Sequence, residues 1–180
     1  YNRSWNGLTI ISISIGQGEV TATPLQIANL GATIANRGYF ITPHVVKEVE
    51  GDSLDSLYTQ KRYTKVRREH YETVVQGMRQ AVLGGTCRGA DLPGIEVCGK
   101  TGTAQNRGKD HSAFMGFAPM KEPKIAVAVY VENGGWGATY GVPIGALIME
   151  KYLNGSLSAE SELKAQDIQK RRIDYGIHER

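Results

Sequence analysis

Lys100-Thr101-Gly102-Thr103 gathers an ammonium, two hydroxyls and a glycine in four consecutive positions. The surrounding run Ile95–Ala104 reads as a strand, the first of three in close order. Side chains alternate along a strand, so Lys100 and Gly102 share one face and Thr101 and Thr103 the other. A glycine on a strand lets a ligand or another backbone come close. Such a surface suits an anionic, peptide-like substrate, held by pairing along the strand edge. A backbone N–H on the same strand can supply one donor of an oxyanion hole.

Lys100 also closes a second pattern. Gly94-Ile95-Glu96-Val97-Cys98-Gly99-Lys100-Thr101 matches the phosphate-binding GxxxxGK[ST] at every required position. That loop needs a buried strand before it and a helix N-terminus behind it. Here Gly89-Ala-Asp-Leu-Pro93 precedes it, Ile95–Cys98 alternates like a strand, and Gly102-Thr-Ala-Gln-Asn-Arg-Gly108 follows. That stretch is a poor helix start. A P-loop nucleotide-binding domain on Gly94–Thr101 is kept only as the alternative, separable by ATP binding. Gly16-Gln17-Gly18 resembles the opening of a dinucleotide fingerprint. Thr21 replaces its third glycine, and no acidic residue lies ~20 positions on, so we read a turn.

The other reactive residues are sparse. His44, His70, His111 and His178 are scattered, and His111, in Lys109-Asp-His-Ser112, reads as a solvated loop residue. A Ser-His-Asp triad needs a buried histidine beside a serine. Cys87 and Cys98 lack CxxC spacing, and one pair is too few for structural zinc. They read as buried thiols, with a disulfide left open. No metal-ligand cluster is seen, and no metal or cofactor is expected.

The elements that must position Lys100 follow from pattern. Leu8–Ile15 is rich in β-branched residues and reads as a strand. Thr23-Pro-Leu-Gln26 is a helix start with a capping box, followed by Ile27, Leu30, Gly31 and Ile34 at helical spacing. Asn36-Arg-Gly38 stops it. Tyr39–Val49 reads as extended and Gly51–Ser56 as a polar loop. A second helix, Arg67–Leu83, carries the stripe Tyr71, Val74, Val75, Met78, Val82. After Ile95–Ala104 come strands Ala113–Ala118 and Ile125–Val131. The last is apolar on both faces and is expected to be central and buried. Pro143–Leu153 is an amphipathic helix, and 156–180 is a polar helix or loose tail. The order argues for an α+β fold, an antiparallel β-sheet flanked by helices.

Composition agrees. The chain has 180 residues, 41% hydrophobic and 22% charged, which suits one globular domain. A net charge of +3 is too mild for a nucleic-acid surface, and Lys61–Arg68 reads as a solvated helix start. The longest unbroken apolar run, Ile125–Val131, is far short of the ~20 residues that cross a membrane. The first residue is Tyr1, not Met, so we expect part of a longer protein with any anchor upstream.

Blocks of sequence then carry a resemblance. Ser14-Ile-Gly-Gln-Gly-Glu19, Thr21-Ala-Thr-Pro-Leu-Gln-Ile27 and Ala35-Asn-Arg-Gly38 resemble the stretch ahead of the Lys-Thr-Gly strand in class B penicillin-binding proteins. Gly99-Lys-Thr-Gly-Thr-Ala-Gln105 resembles that strand. Ala113-Phe-Met-Gly-Phe-Ala-Pro119, and Val127–Asn133 with Gly134-Gly135, resemble the two strands that follow. The likeness spans Asn6 to Asn154 and is nearest to the elongation type, the penicillin-binding protein 2 group.

The resemblance implies a penicillin-binding protein/β-lactamase-like transpeptidase fold, present as a partial domain over 1–155, with 156–180 a polar tail. The family cross-links peptidoglycan stem peptides ending in D-Ala-D-Ala by serine acyl transfer. It implies that Lys100 binds the substrate carboxylate and sustains the proton network. Thr101 would hydrogen-bond that carboxylate, and Gly102 would keep the strand face clear. Thr103 would offer its N–H to the oxyanion, with Ala104 and Gln105 lining the strand's end. The family's Ser-x-x-Lys and Ser-x-Asn precede this strand. Ser161-Glu-Leu-Lys164 comes after it and reads as an exposed, coincidental match. Ser4-Trp-Asn6 lies too near Gly16-Gln17-Gly18 and is also read as coincidence. The chain is therefore expected to have no nucleophile and to be inactive alone. A non-catalytic domain that binds cell-wall peptide is the other alternative. The implied partners are stem peptide, β-lactams and other elongation proteins, at the periplasmic side of the inner membrane. Ile125–Val131 would lack its family pairing strand, so dimers by edge pairing, swapped elements or poor solubility are expected.

Overall fold

The computed structural model describes residues 6–18, 20–173 and 175. The chain opens with helix α1, Gly7–Ser14, where a strand is expected from composition. Two physical facts decide it. The Asn6 side chain accepts the Thr9 N–H at 3.0 Å and caps a helix. Among the described residues no strand pairs with this segment, and β-propensity depends on cross-strand packing and burial.

Helix α2, Pro24–Ala35, starts as its capping box predicts. Gln26 N–H donates to Thr23 Oγ1 at 3.3 Å, and Thr23 N–H donates to Gln26 Oε1 at 2.7 Å. Of the extended run after it, only Tyr39–Phe40 forms a strand, β1. A short helix α3, Ser56–Thr59, leads to β2, Arg62–Tyr63, which pairs with β1 antiparallel. Helix α4, Arg68–Leu83, buries Tyr71, Val75, Met78 and Val82, whereas Val74 of the predicted stripe is exposed.

A 3₁₀ turn, Arg88–Ala90, precedes the main sheet. This is an antiparallel sheet of three strands: β3, Cys98–Ala104; β4, His111–Ala118; and β5, Ile125–Val131. β4 is central, with Lys100 opposite Met115 and Met115 opposite Ala128. β5 is thus an edge strand among the described residues, not the central strand its composition suggests. Its two apolar faces have another cause, because α2 packs on one face of the sheet and α5, Gly141–Asn154, on the other. Two-faced apolarity reports coverage of the sheet's faces, whereas edge or central position is a matter of backbone pairing.

Two cores result. On one face Ile34, Tyr71, Val75 and Met78 meet Cys98 and Phe117. On the other, Val142, Ala146 and Met149 of α5 meet Phe114 and Val127. α5 comes this close because Gly145 has no Cβ; one placed there would sit 2.5 Å from the Phe114 ring. Helix α6, Ala159–Lys170, follows and lies on α5. Ser161 is buried there, contrary to the exposed position expected of it. The cause is Glu150, a buried carboxylate whose Oε1 accepts the Ser158 N–H at 3.0 Å. No helix among the described residues is long and apolar enough to cross a membrane.

Candidate active site

β3 forms one edge of the sheet, so one side of its backbone faces away from β4. Lys100 is exposed at this edge, its Nζ donating to its neighbour's carbonyl, Thr101 O, at 2.9 Å. Among the described residues it has no acidic partner. An exposed, uncompensated ammonium on a strand edge is available to an anionic ligand.

Thr101 is half-buried, and its Oγ1 lies 2.8 Å from Thr86 Oγ1. Gly102 lies on the opposite face, where an added Cβ would stand 3.3 Å from that of Ala113 across the ladder. Thr103 is exposed, and its carbonyl accepts Gln17 Nε2 at 3.3 Å. Ala104 ends the strand opposite His111, and Gln105 is exposed just beyond it. The structure thus brings Lys100, Thr101, Gly102, Thr103, Ala104 and Gln105 into one continuous edge. An apolar cleft of about 210 Å³ opens beside them, between Lys100, Gly102, Met115 and Tyr130 of the sheet and Ile27 and Leu30 of α2.

Three neighbours of this edge carry no sequence pattern that would single them out as site residues. Gln17 sits in the Gly16-Gln17-Gly18 turn and reaches β3 across 86 positions. Thr86 and Cys87 come from the loop after α4. Spacing offers no signal for such contacts, since each is made through space by a loop.

The remaining candidates resolve as structural. His111 begins β4 and is no loop residue: its Nδ1 accepts the Asn133 N–H at 3.0 Å, and its ring lies 5.3 Å from that of Tyr130. Ser112, fully buried, donates to Trp136 O at 2.8 Å and accepts from Gly141 N–H at 3.0 Å. Ser161 is buried, and Lys164 pairs with Glu160 at 2.8 Å, so that Ser-x-x-Lys match makes no nucleophile. Of the Ser4-Trp-Asn6 match, Ser4 lies outside the described residues, as does His178. Cys87 and Cys98 are both free and buried. Burial raises the Cys87 thiol and pushes that of Cys98 up to about 11, despite the opposing pull of nearby Arg79 and Arg37 on Cys98. No metal-ligating cluster exists among the described residues. After Thr101 the chain continues as strand, so no helix N-terminus stands behind Gly94–Thr101 to bind a phosphate.

The Lys-Thr-Gly sequence thus lies on the edge strand of an antiparallel sheet that has helices on both faces. The penicillin binding protein transpeptidase domain matches residues 1–152, and the chain belongs to that family. It is 35% identical to the peptidoglycan D,D-transpeptidase MrdA of Haemophilus influenzae, covering 87% of this chain and 28% of that protein. It is 36% identical to the peptidoglycan D,D-transpeptidase PbpA of Mycobacterium tuberculosis, over 79% of this chain and 31% of that one. Among solved structures, PBP2 of Pseudomonas aeruginosa in complex with WCK 5153 superposes with a TM-score of 0.71 at 37% identity. That match covers 88% of this chain and 36% of the other. The imipenem acyl-enzyme of penicillin-binding protein A from M. tuberculosis superposes with a TM-score of 0.66 at 34% identity, over 79% and 33% of the two chains. The chain therefore spans about a third of the length of the relatives it matches.

Proposed function

We propose that this chain is the substrate-binding wall of a peptidoglycan D,D-transpeptidase of the elongation-type class B penicillin-binding proteins. The observation that carries the reading is the Lys100–Thr103 edge of β3, exposed beside an apolar cleft in a chain of this family. The acyl donor, a stem peptide ending in D-Ala-D-Ala or a β-lactam in its place, lies along that edge. Lys100 attracts its carboxylate and sustains the proton network at the nucleophile. Thr101 donates a hydrogen bond to the carboxylate, and Gly102 leaves room for the peptide. Thr103 N–H is one donor to the oxyanion that forms when the serine attacks the acyl carbonyl. Ala104 and Gln105 line the end of the groove.

No Ser-x-x-Lys precedes Lys100 in this sequence. The nucleophilic serine and its general-base lysine come from outside it, and the chain alone is inactive. Residues 1–155 form the transpeptidase part and 156–180 a polar extension, which the family match over 1–152 supports. The complete protein works on the periplasmic face of the inner membrane, beside other elongation proteins. One relative at 34% identity, TM-score 0.71, is described as part of a peptidoglycan synthase complex, which supports that company.

Labelled penicillin tests the reading. The chain alone is expected to give no serine-linked adduct by mass spectrometry, while the complete protein gives one. Lys100→Ala in the complete protein is expected to slow acylation by at least about a hundredfold, a scale typical of lost transition-state electrostatics. A stoichiometric adduct on the isolated chain, or full-speed acylation of Lys100→Ala, would defeat it.

A further inference from the structure

Thr101 is gripped from two sides. From the loop after α4, the Thr86 hydroxyl lies 2.8 Å from that of Thr101. The adjoining Cys87, fully buried, has both the Thr86 hydroxyl and the Thr101 backbone N–H at its sulfur. From the loop after β5, Gly137 presses on the same residue. A Cβ there would stand 2.9 Å from Thr101 Cβ, 2.8 Å from Gly102 O and 2.5 Å from Ala113 O.

The Thr86 loop is itself anchored. Cys87 N–H and Gly85 N–H both donate to Ala81 O, at 2.9 and 3.1 Å, tying the loop to the last turn of α4. A Cβ on Gly85 would lie 2.8 Å from Ala81 Cα, so the loop sits closer to that turn than a larger residue would allow. Thr86 itself is exposed. An exposed threonine with an anchored backbone, bonded to one hydroxyl of the edge strand, has little to do for stability. It has a direct effect on where that hydroxyl points.

We propose that Thr86 is a positioning residue for the carboxylate of the acyl donor, with its hydroxyl fixing the rotamer and proton direction of Thr101. When Thr86 donates to Thr101 Oγ1, the Thr101 proton is left to point away from Thr86, free for an acceptor at the strand edge. A hydroxyl that already accepts a hydrogen bond is also polarised into a better donor. Cys87 adjoins the contact, and burial raises its thiol, so it brings no competing charge there. The inference deepens the proposed function and rests on its assignment of Thr101 to the carboxylate.

The test uses the complete protein that carries this chain, with Thr86→Val, Thr86→Ser and Thr101→Val. The readout is the second-order acylation rate by a penicillin and by its methyl ester, which no longer has the carboxylate charge. Thr86→Val is expected to slow the free acid about tenfold, the scale of one weakened hydrogen bond to a charged group. It should leave the slower ester reaction unchanged, and Thr86→Ser should return the free acid to within about twofold of the parent. The melting temperature should not move. Equal losses on acid and ester, or no loss on either while Thr101→Val is slow, would overturn the role of Thr86 and leave the proposed function standing. No loss in Thr101→Val would remove Thr101 from carboxylate binding and overturn both.

Discussion

The two cysteines show how differently one residue type is used within a single sheet region. Cys98 opens β3 and packs against α4, whereas Cys87 sits under the Thr86–Thr101 contact. Neither is a partner for the other in a bond. Because burial holds the Cys98 thiol near 11, its thiolate is scarce at pH 8.5 and alkylation of the folded chain should be slow. In denaturant the same residue should react at the ordinary thiol rate. A folded value above the unfolded one also fixes the sign of the linkage. This contribution is intact below the ordinary thiol range and is lost as pH climbs toward about 11. Iodoacetamide labelling with and without urea checks the first point. Rapid stoichiometric labelling of Cys98 in the native chain would contradict it.

At the scale of elements, the α5–α6 junction depends on a charge. Burial alone would raise the Glu150 carboxyl. The Ser161 hydroxyl, the Ser158 N–H and hydroxyl and the nearby Lys164 ammonium outweigh it, so Glu150 lies below the usual carboxylate range. Its stabilisation is therefore present above the unfolded carboxylate value and lost as pH falls through the lower, folded one. Acid should loosen α6 from α5 before the sheet melts. Hydrogen exchange at pH 7 and pH 3.5 is expected to show protection lost first over Ala159–Lys170. Glu150→Gln should weaken that protection at pH 7 and flatten its pH dependence. An unchanged acid response in Glu150→Gln would refute the assignment.

At the scale of the molecule, β5 bounds the main sheet. Its outer edge has no partner among the described residues, and Tyr130 on it is exposed. Leu8, Ile11 and Ile15 of the α1 region are exposed as well. A free strand edge is a template for pairing with another chain. The isolated chain is expected to form dimers through β5 that dissociate on dilution. Light scattering across a concentration series measures this directly, and a clean monomer at high concentration would count against it. A Lys substituted for Tyr130 should shift the series toward monomer, since an edge charge opposes strand pairing.

The sequence by itself determined the elements whose signals are local. The Thr23–Gln26 capping box, the α4 stripe apart from Val74, and the three strands all depend on neighbours within a turn or on alternation; the first strand begins at Cys98, three residues after the expected Ile95, because Ile95 is tied into a turn with Leu92. The Lys100–Gln105 edge was legible for the same reason, because adjacent residues on a strand need no fold to bring them together. What only the tertiary structure decided depends on long-range pairing. Leu8–Ile15 has strand composition, but with no strand beside it the Asn6 cap makes it a helix. β5 is apolar on both faces because helices cover both, so composition cannot tell its edge position from a central one. Thr86 and Gln17 meet the site across loops, contacts that no periodicity encodes.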